Sequence, residues 1–125
     1  MAPPLYLRHI PWVLAEGRPM HVVVSSRLDA LAELCRRFHV RRLDVFGSAA
    51  RGDDFDPARS DVDFLVEFDP SADPGMAGFL DVEAALRQVV GRKVDLVDRL
   101  AVEQSRNYLR RRQILGDAES VYVEG

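Results

Sequence analysis

Cysteine is almost missing from this 125-residue sequence, with Cys35 standing alone. A single thiol cannot close an internal disulfide, which fits a reducing compartment. Lysine is equally scarce: Lys93 is the only one, and arginine supplies the rest of the 17 basic residues. Against 20 acidic residues they leave a formal net charge of −3, which argues against a general nucleic-acid binder. No apolar run approaches the ~18 residues needed to cross a bilayer, so no membrane association is expected. The opening stretch MAPPLYLRHIPWVLAEGRPM has an apolar patch broken by His9, Pro11 and Glu16. It lacks the basic start and long apolar centre of a signal peptide, and a cytoplasmic protein is expected. There is no GxxxxGK[ST], hence no P-loop, and no internal repeat or low-complexity tract. His9, His21 and His39 have no ligand-like spacing, so no histidine is assigned a metal.

What is present is ordinary for one globular domain, 47% hydrophobic and 30% charged. Residues 1–24 read as an N-terminal arm or extension. Pro3, Pro4, Pro11 and Pro19 prevent a continuous helix, Trp12 is a candidate anchor, and Val22–Val24 fit either a short strand or the arm itself. Residues 25–125 read as the folded domain. Ser25 or Ser26 is an expected N-cap for a helix reaching Phe38, whose apolar face is Leu28, Leu31, Leu34, Cys35 and Phe38. Cys35 on that face reads as a buried core thiol, and His39 falls at the helix end. Arg41–Phe46 predicts a strand, Ala49–Gly52 a helical turn, 53–60 an exposed polar loop, and Asp61–Phe68 a second strand buried on both faces. A helix over Met76–Val90 stopped by Gly91 follows, then a strand at Lys93–Val97. One last helix is expected over Val102–Leu115, with Arg110, Arg111 and Arg112 opposing the dipole in its last turn. Ser120–Val123 fits a short edge strand.

The chemistry concentrates in LDVFGSAARGDDFDPARSDVDFLVEF, residues 43–68. Side chains two apart on a strand share a face, so Asp61 and Asp63 project together beside the Gly47–Ser48 turn. Asp95 interrupts the later apolar strand KVDLV. An unpaired carboxylate inside a strand is costly, and three of them near one turn point to a cation site. Oxygen-only ligands suit Mg²⁺ or Mn²⁺. Two such ions ~3.5–4 Å apart can stabilise the attacking and leaving oxygens of a phosphoryl displacement. In that arrangement Gly47 lets the backbone approach the phosphates, and Ser48 can donate to them. Asp95 is placed to take a proton from an attacking hydroxyl. Arg51 fits either a phosphate contact or a salt bridge to Asp53 or Asp54.

FGSAARG, then SDVDFLVEF, then KVDLV after an intervening helix, resembles the minimal nucleotidyltransferase (MNT) family of the polymerase β-like superfamily. The likeness covers about residues 26 to 115, with a longer loop between Ser48 and Asp61 than the family commonly has. It implies an α/β (α+β) domain with a small mixed sheet and helices mainly on one face. It implies Asp61, Asp63 and Asp95 as the catalytic and Mg²⁺-binding residues, two ions, with ATP as substrate and Gly47, Ser48 and Arg51 at its phosphates. Stand-alone members are similar to the antitoxin of HEPN–MNT toxin–antitoxin pairs, which transfers AMP from ATP to a tyrosine hydroxyl of a HEPN toxin. The expected partner is therefore a HEPN-domain protein. Two alternatives stay open: nucleotidyl transfer to a small molecule or RNA end, and a non-catalytic antitoxin acting by occlusion.

Overall fold

The structure, a computed structural model, describes residues 20–52 and 54–125. The arm expected over residues 1–19, with Trp12, lies outside the described residues, as does Asp53. The described chain runs α1 (Val22–Ser25), α2 (Leu28–Arg37), β1 (Val40–Phe46), α3 (Ser48–Arg51), β2 (Val62–Phe68), α4 (Gly75–Val90), β3 (Val94–Asp98), α5 (Arg99–Glu103), α6 (Tyr108–Asp117) and β4 (Glu119–Val123). The four strands form one sheet in the order β3-β2-β1-β4. β1 is antiparallel to β2 and to β4, whereas β2 and β3 run parallel. The sheet is thus mixed, with α4 as the crossover that a parallel pair requires.

Strand alternation divides the sheet into two unequal faces. Leu43, Val45, Val62, Phe64, Val66, Val94 and Leu96 join the larger core with Leu31, Leu34 and Cys35 of α2 and Val82, Leu86 and Val90 of α4. Cys35 is fully buried, and burial pushes its thiol up to about 12, which leaves it an inert core side chain. Phe46 and Leu65 point the other way and meet Val102 of α5 and Ile114 of α6 in a smaller cluster. Most of the helical mass lies on the first face. The second is only partly covered, and its open end holds the acidic residues.

Several local expectations give way to better-satisfied backbone arrangements. Val22–Val24 are a helical turn rather than strand or arm: the His21 side chain caps it by accepting from Val23 N at 3.0 Å, and Val24 is fully buried. Ser26 does not open α2. Its hydroxyl donates back to Val22 O at 2.6 Å, and α2 starts after Arg27 with no side-chain cap. His39 lies just past that helix at a left-handed φ of 58°. The loop before β2 is not wholly exposed, because Phe55 is buried. Its ring lies 4.5 Å from that of His21, and the Arg92 guanidinium sits 5.0 Å over it while donating to Pro57 O at 2.8 Å.

The single C-terminal helix is two helices. Asp98 caps α5 through Ala101 N (3.1 Å), and Asn107 caps α6 through Arg110 N (3.1 Å). Because α6 starts at Tyr108 and runs to Asp117, Arg110–Arg112 occupy its first half. Their expected role at the C-terminal dipole is therefore corrected, and α6 has no basic residue in its last turn. Gly116 lies inside the helix rather than after it. Gly91, by contrast, ends α4 as expected, at φ 68° with its N–H on Arg87 O. The predicted edge strand is β4.

Leu86 is fully buried between α4 and the sheet. Leu86→Ala is expected to lower unfolding stability by about 3 kcal/mol, measured by urea denaturation. A loss well under 1 kcal/mol would show that α4 is not packed there as described.

Candidate active site

β2 and β3 bring the acidic residues together through backbone register. In their parallel pairing Asp63 stands directly beside Asp95, and Val62 beside Val94. Both Asp side chains leave the large core and emerge on the second face. Asp95 is exposed and Asp63 is half-buried. Asp61 lies just before β2, where its carboxylate is 3.9 Å from Lys93 Nζ.

A cleft of about 340 Å³ opens over this pair. Phe46, Gly47, Ser48, Arg51, Asp63 and Asp95 line it from the sheet and turn, and Arg110, Gln113, Ile114 and Asp117 line it from α6. Five of the six residues singled out from sequence therefore share one cavity, and Asp61 does not line it. The α6 residues add to the set, because an arginine run placed at the end of a helix answers the dipole and signals no site. Their spacing of i, i+3, i+4 and i+7 is the signal that a correct helix start would have exposed.

The Gly47–Ser48 turn is held from both sides. Ala49 and Ala50 of α3 are buried, and Ala49 O accepts from His21 N at 2.7 Å. Gly47 sits at φ 70°, ψ −151°, a conformation that side-chain-bearing residues rarely adopt. A Cβ there would lie 2.3 Å from Asp63 Oδ2. The glycine thus makes room for the neighbouring carboxylate as well as for any ligand. Of the two readings of Arg51, the salt bridge is present: its guanidinium bonds Asp54 at 2.9 Å and Asp117 at 2.6 Å while still lining the cleft.

Burial, then the charges of Asp95 and Asp61, push the Asp63 carboxyl up from 3.8 to about 6, with Arg51 opposing weakly. This is an all-oxygen, anionic donor set whose repulsion a hard divalent cation would relieve. Among the described residues no three potential ligands already converge in coordination geometry. Asp63 and Asp95 form the assembled pair, and Asp61 is turned to Lys93.

A further strand carboxylate, which the sequence pattern does not single out, is buried on the same face. Asp44 is fully buried and ion-pairs with Arg42 at 3.2 Å and, very closely, with Arg99. Arg99 also bonds Glu103 at 3.0 Å. Its partners mark Asp44 as structural, tying α5 to β1.

A family model described as nucleotidyltransferase domain matches residues 28–120. The chain belongs to the nucleotidyltransferase domain family. It is 43% identical over 65 residues to the protein adenylyltransferase MntA of Thermococcus cleftensis, covering 52% of this chain and 62% of that protein. It is 33% identical over 66 residues to a provisionally named protein adenylyltransferase of Methanocaldococcus jannaschii, covering 53% and 64%. The chain thus spans slightly under two thirds of the length of these relatives. Among solved structures, a chain provisionally named a minimal nucleotidyltransferase superposes with a TM-score of 0.59 at 31% identity, over 79% of this chain and 94% of that one. A chain from the complex of a tri-AMPylated Shewanella oneidensis HEPN toxin with MNT antitoxin gives 0.53 at 17% identity, over 80% and 72%. The latter likeness is one of fold. The nucleotidyltransferase fold agrees with the family.

The raised Asp63 carboxyl makes a signed prediction. In the metal-free fold it keeps its proton up to about pH 6, whereas the unfolded chain loses it near 3.8. Stability should therefore fall as pH rises through that window. Asp63→Asn removes the penalty and is expected to be about 1 kcal/mol more stable than the parent at pH 7, the half-exposed site being screened by solvent. The gain should vanish near pH 3.5, in thermal melts with EDTA. An equal gain at both pH values would assign it to packing instead.

Proposed function

We propose that this protein is a Mg²⁺-dependent protein adenylyltransferase of the antitoxin kind. It transfers AMP from ATP to a hydroxyl, that of a tyrosine, on a HEPN toxin and so neutralises it. The observation that carries this reading is the in-register Asp63–Asp95 pair in a cleft that the Gly47–Ser48 turn also lines. The relative named protein adenylyltransferase MntA and the fold shared with a complex containing an AMPylated HEPN toxin support the direction of transfer and the class of acceptor.

The residues divide the work as follows. The N–H groups and hydroxyl of the Gly47–Ser48 turn bind phosphate oxygens, and the absent Cβ at Gly47 allows their approach. Asp61, Asp63 and Asp95 would hold Mg²⁺, which supplies charge neutralisation for the phosphates and the developing oxyanions. The acceptor hydroxyl oxygen attacks the α-phosphorus, forming a new P–O ester bond. The bond from that phosphorus to the oxygen bridging to the β-phosphate breaks, and pyrophosphate leaves with the electron pair. The hydroxyl proton passes to the Asp95 carboxylate, which is exposed and so reachable by an incoming chain. A cleft this open holds a nucleotide and leaves the acceptor to a partner surface.

Intact-mass spectrometry of a HEPN partner incubated with this protein, ATP and Mg²⁺ tests the proposal. Wild type is expected to add one or more AMP units, and Asp63→Asn to be slower by at least about 100-fold while still forming the complex. A tight complex that neutralises the toxin with no mass gain in wild type would replace catalysis with occlusion.

A further inference from the structure

We propose that Arg110 is a polyphosphate-binding residue, engaging the phosphate chain of the nucleotide from the α6 side of the cleft. This rests on the nucleotide-binding reading above and adds a residue to it. The argument starts from charge. Three carboxylates line the cleft, Asp63, Asp95 and Asp117, against two guanidinium groups, Arg51 and Arg110. An anionic ligand entering such a site needs cationic groups that are not already neutralised. Arg51 is engaged on both sides, by Asp54 at 2.9 Å and by Asp117 at 2.6 Å. The Arg110 side chain makes no hydrogen bond or ion pair among the described residues, and it is exposed towards the cavity it lines. It is the uncommitted cation of the cleft.

Helix geometry distinguishes the three consecutive arginines. Arg110, Gln113, Ile114 and Asp117 form one stripe along α6, and burial of Ile114 against Phe46 and Leu65 turns that stripe to the cleft. Arg111 is used internally: it donates to Ser105 O at 2.8 Å and its guanidinium lies 5.5 Å over the Tyr108 ring. Arg112 is exposed and does not line the cavity. The Arg110 backbone N–H is fixed by the Asn107 cap, so its side chain extends from a defined point in the first turn. A guanidinium presents a planar fork of donors that matches paired phosphate oxygens, which a side chain left merely for solubility would not require.

Calorimetric titration of the full chain, without acceptor and with Mg²⁺, tests this using ATP and inorganic tripolyphosphate as probes. Arg110→Ala is expected to weaken both by about tenfold, the scale of one lost charge-assisted contact in an open site. Arg110→Lys should recover part of the loss, and Arg112→Ala should bind as wild type does. Unchanged binding of both probes by Arg110→Ala, with wild type binding well, would overturn the proposal and leave the nucleotide reading standing. Weakened ATP with unchanged tripolyphosphate would also overturn it, moving Arg110 to the nucleoside. Failure of wild type to bind either probe would bring down the nucleotide reading and this proposal with it.

Discussion

The parallel register of β2 and β3 is the constraint on which the site depends. It sets two like charges, Asp63 and Asp95, at directly adjacent positions. Like charges facing one another across a ladder are unfavourable, so nothing in the strand pairing itself rewards the arrangement. It is maintained from behind. Val62, Phe64, Val66, Val94 and Leu96 alternate with the acids and anchor both strands in the large core. A one-residue slip would send those five side chains to the open face, and the register is accordingly fixed by hydrophobic burial rather than by the site. The acids accept a repulsive placement that the core on the other face enforces.

The same division of labour explains what could be read from the sequence. Elements with a strong apolar period were legible: the Leu31/Leu34/Cys35 face, the β2 run and its Asp-x-Asp start, the α4 stop at Gly91, the edge strand. The Asp63–Asp95 neighbourhood was legible as well, because a strand that must be buried betrays its polar exceptions. The C-terminal helices were less readable. There Ser105 and Asn107 compete for the backbone with side-chain hydrogen bonds, and a continuous helical pattern conceals the break. With the helix start set six residues early, Arg110 falls in a last turn facing the dipole and Asp117 falls beyond the helix end. Asp44 was missed for a different reason. The Arg42 two residues before it makes it read as an ordinary surface pair, and the partner that explains its burial, Arg99, is 55 residues away.

Two buried or half-buried carboxylates on one face thus have opposite fates. Asp44 is matched by two arginines and ties α5 to β1. Asp63 is opposed by two other acids and helped only weakly by an arginine already engaged elsewhere. A satisfied ion pair is what a scaffold uses, and an unsatisfied like-charge pair is what a cation-dependent site uses. The contrast on one face of the sheet separates framework from chemistry without reference to any relative.

The close approach of Gly47 to Asp63 links two motifs that are separate in sequence. Any side chain at position 47 would occupy the space of the Asp63 carboxylate. The turn and the acid are therefore one steric unit, and they are not independent variables in an experiment. A loss of function on substituting Gly47 reports a displaced carboxylate as readily as a lost phosphate contact. Ser48, which lines the cleft and already carries a Cβ, is the position at which the phosphate-binding role proposed for the turn can be isolated.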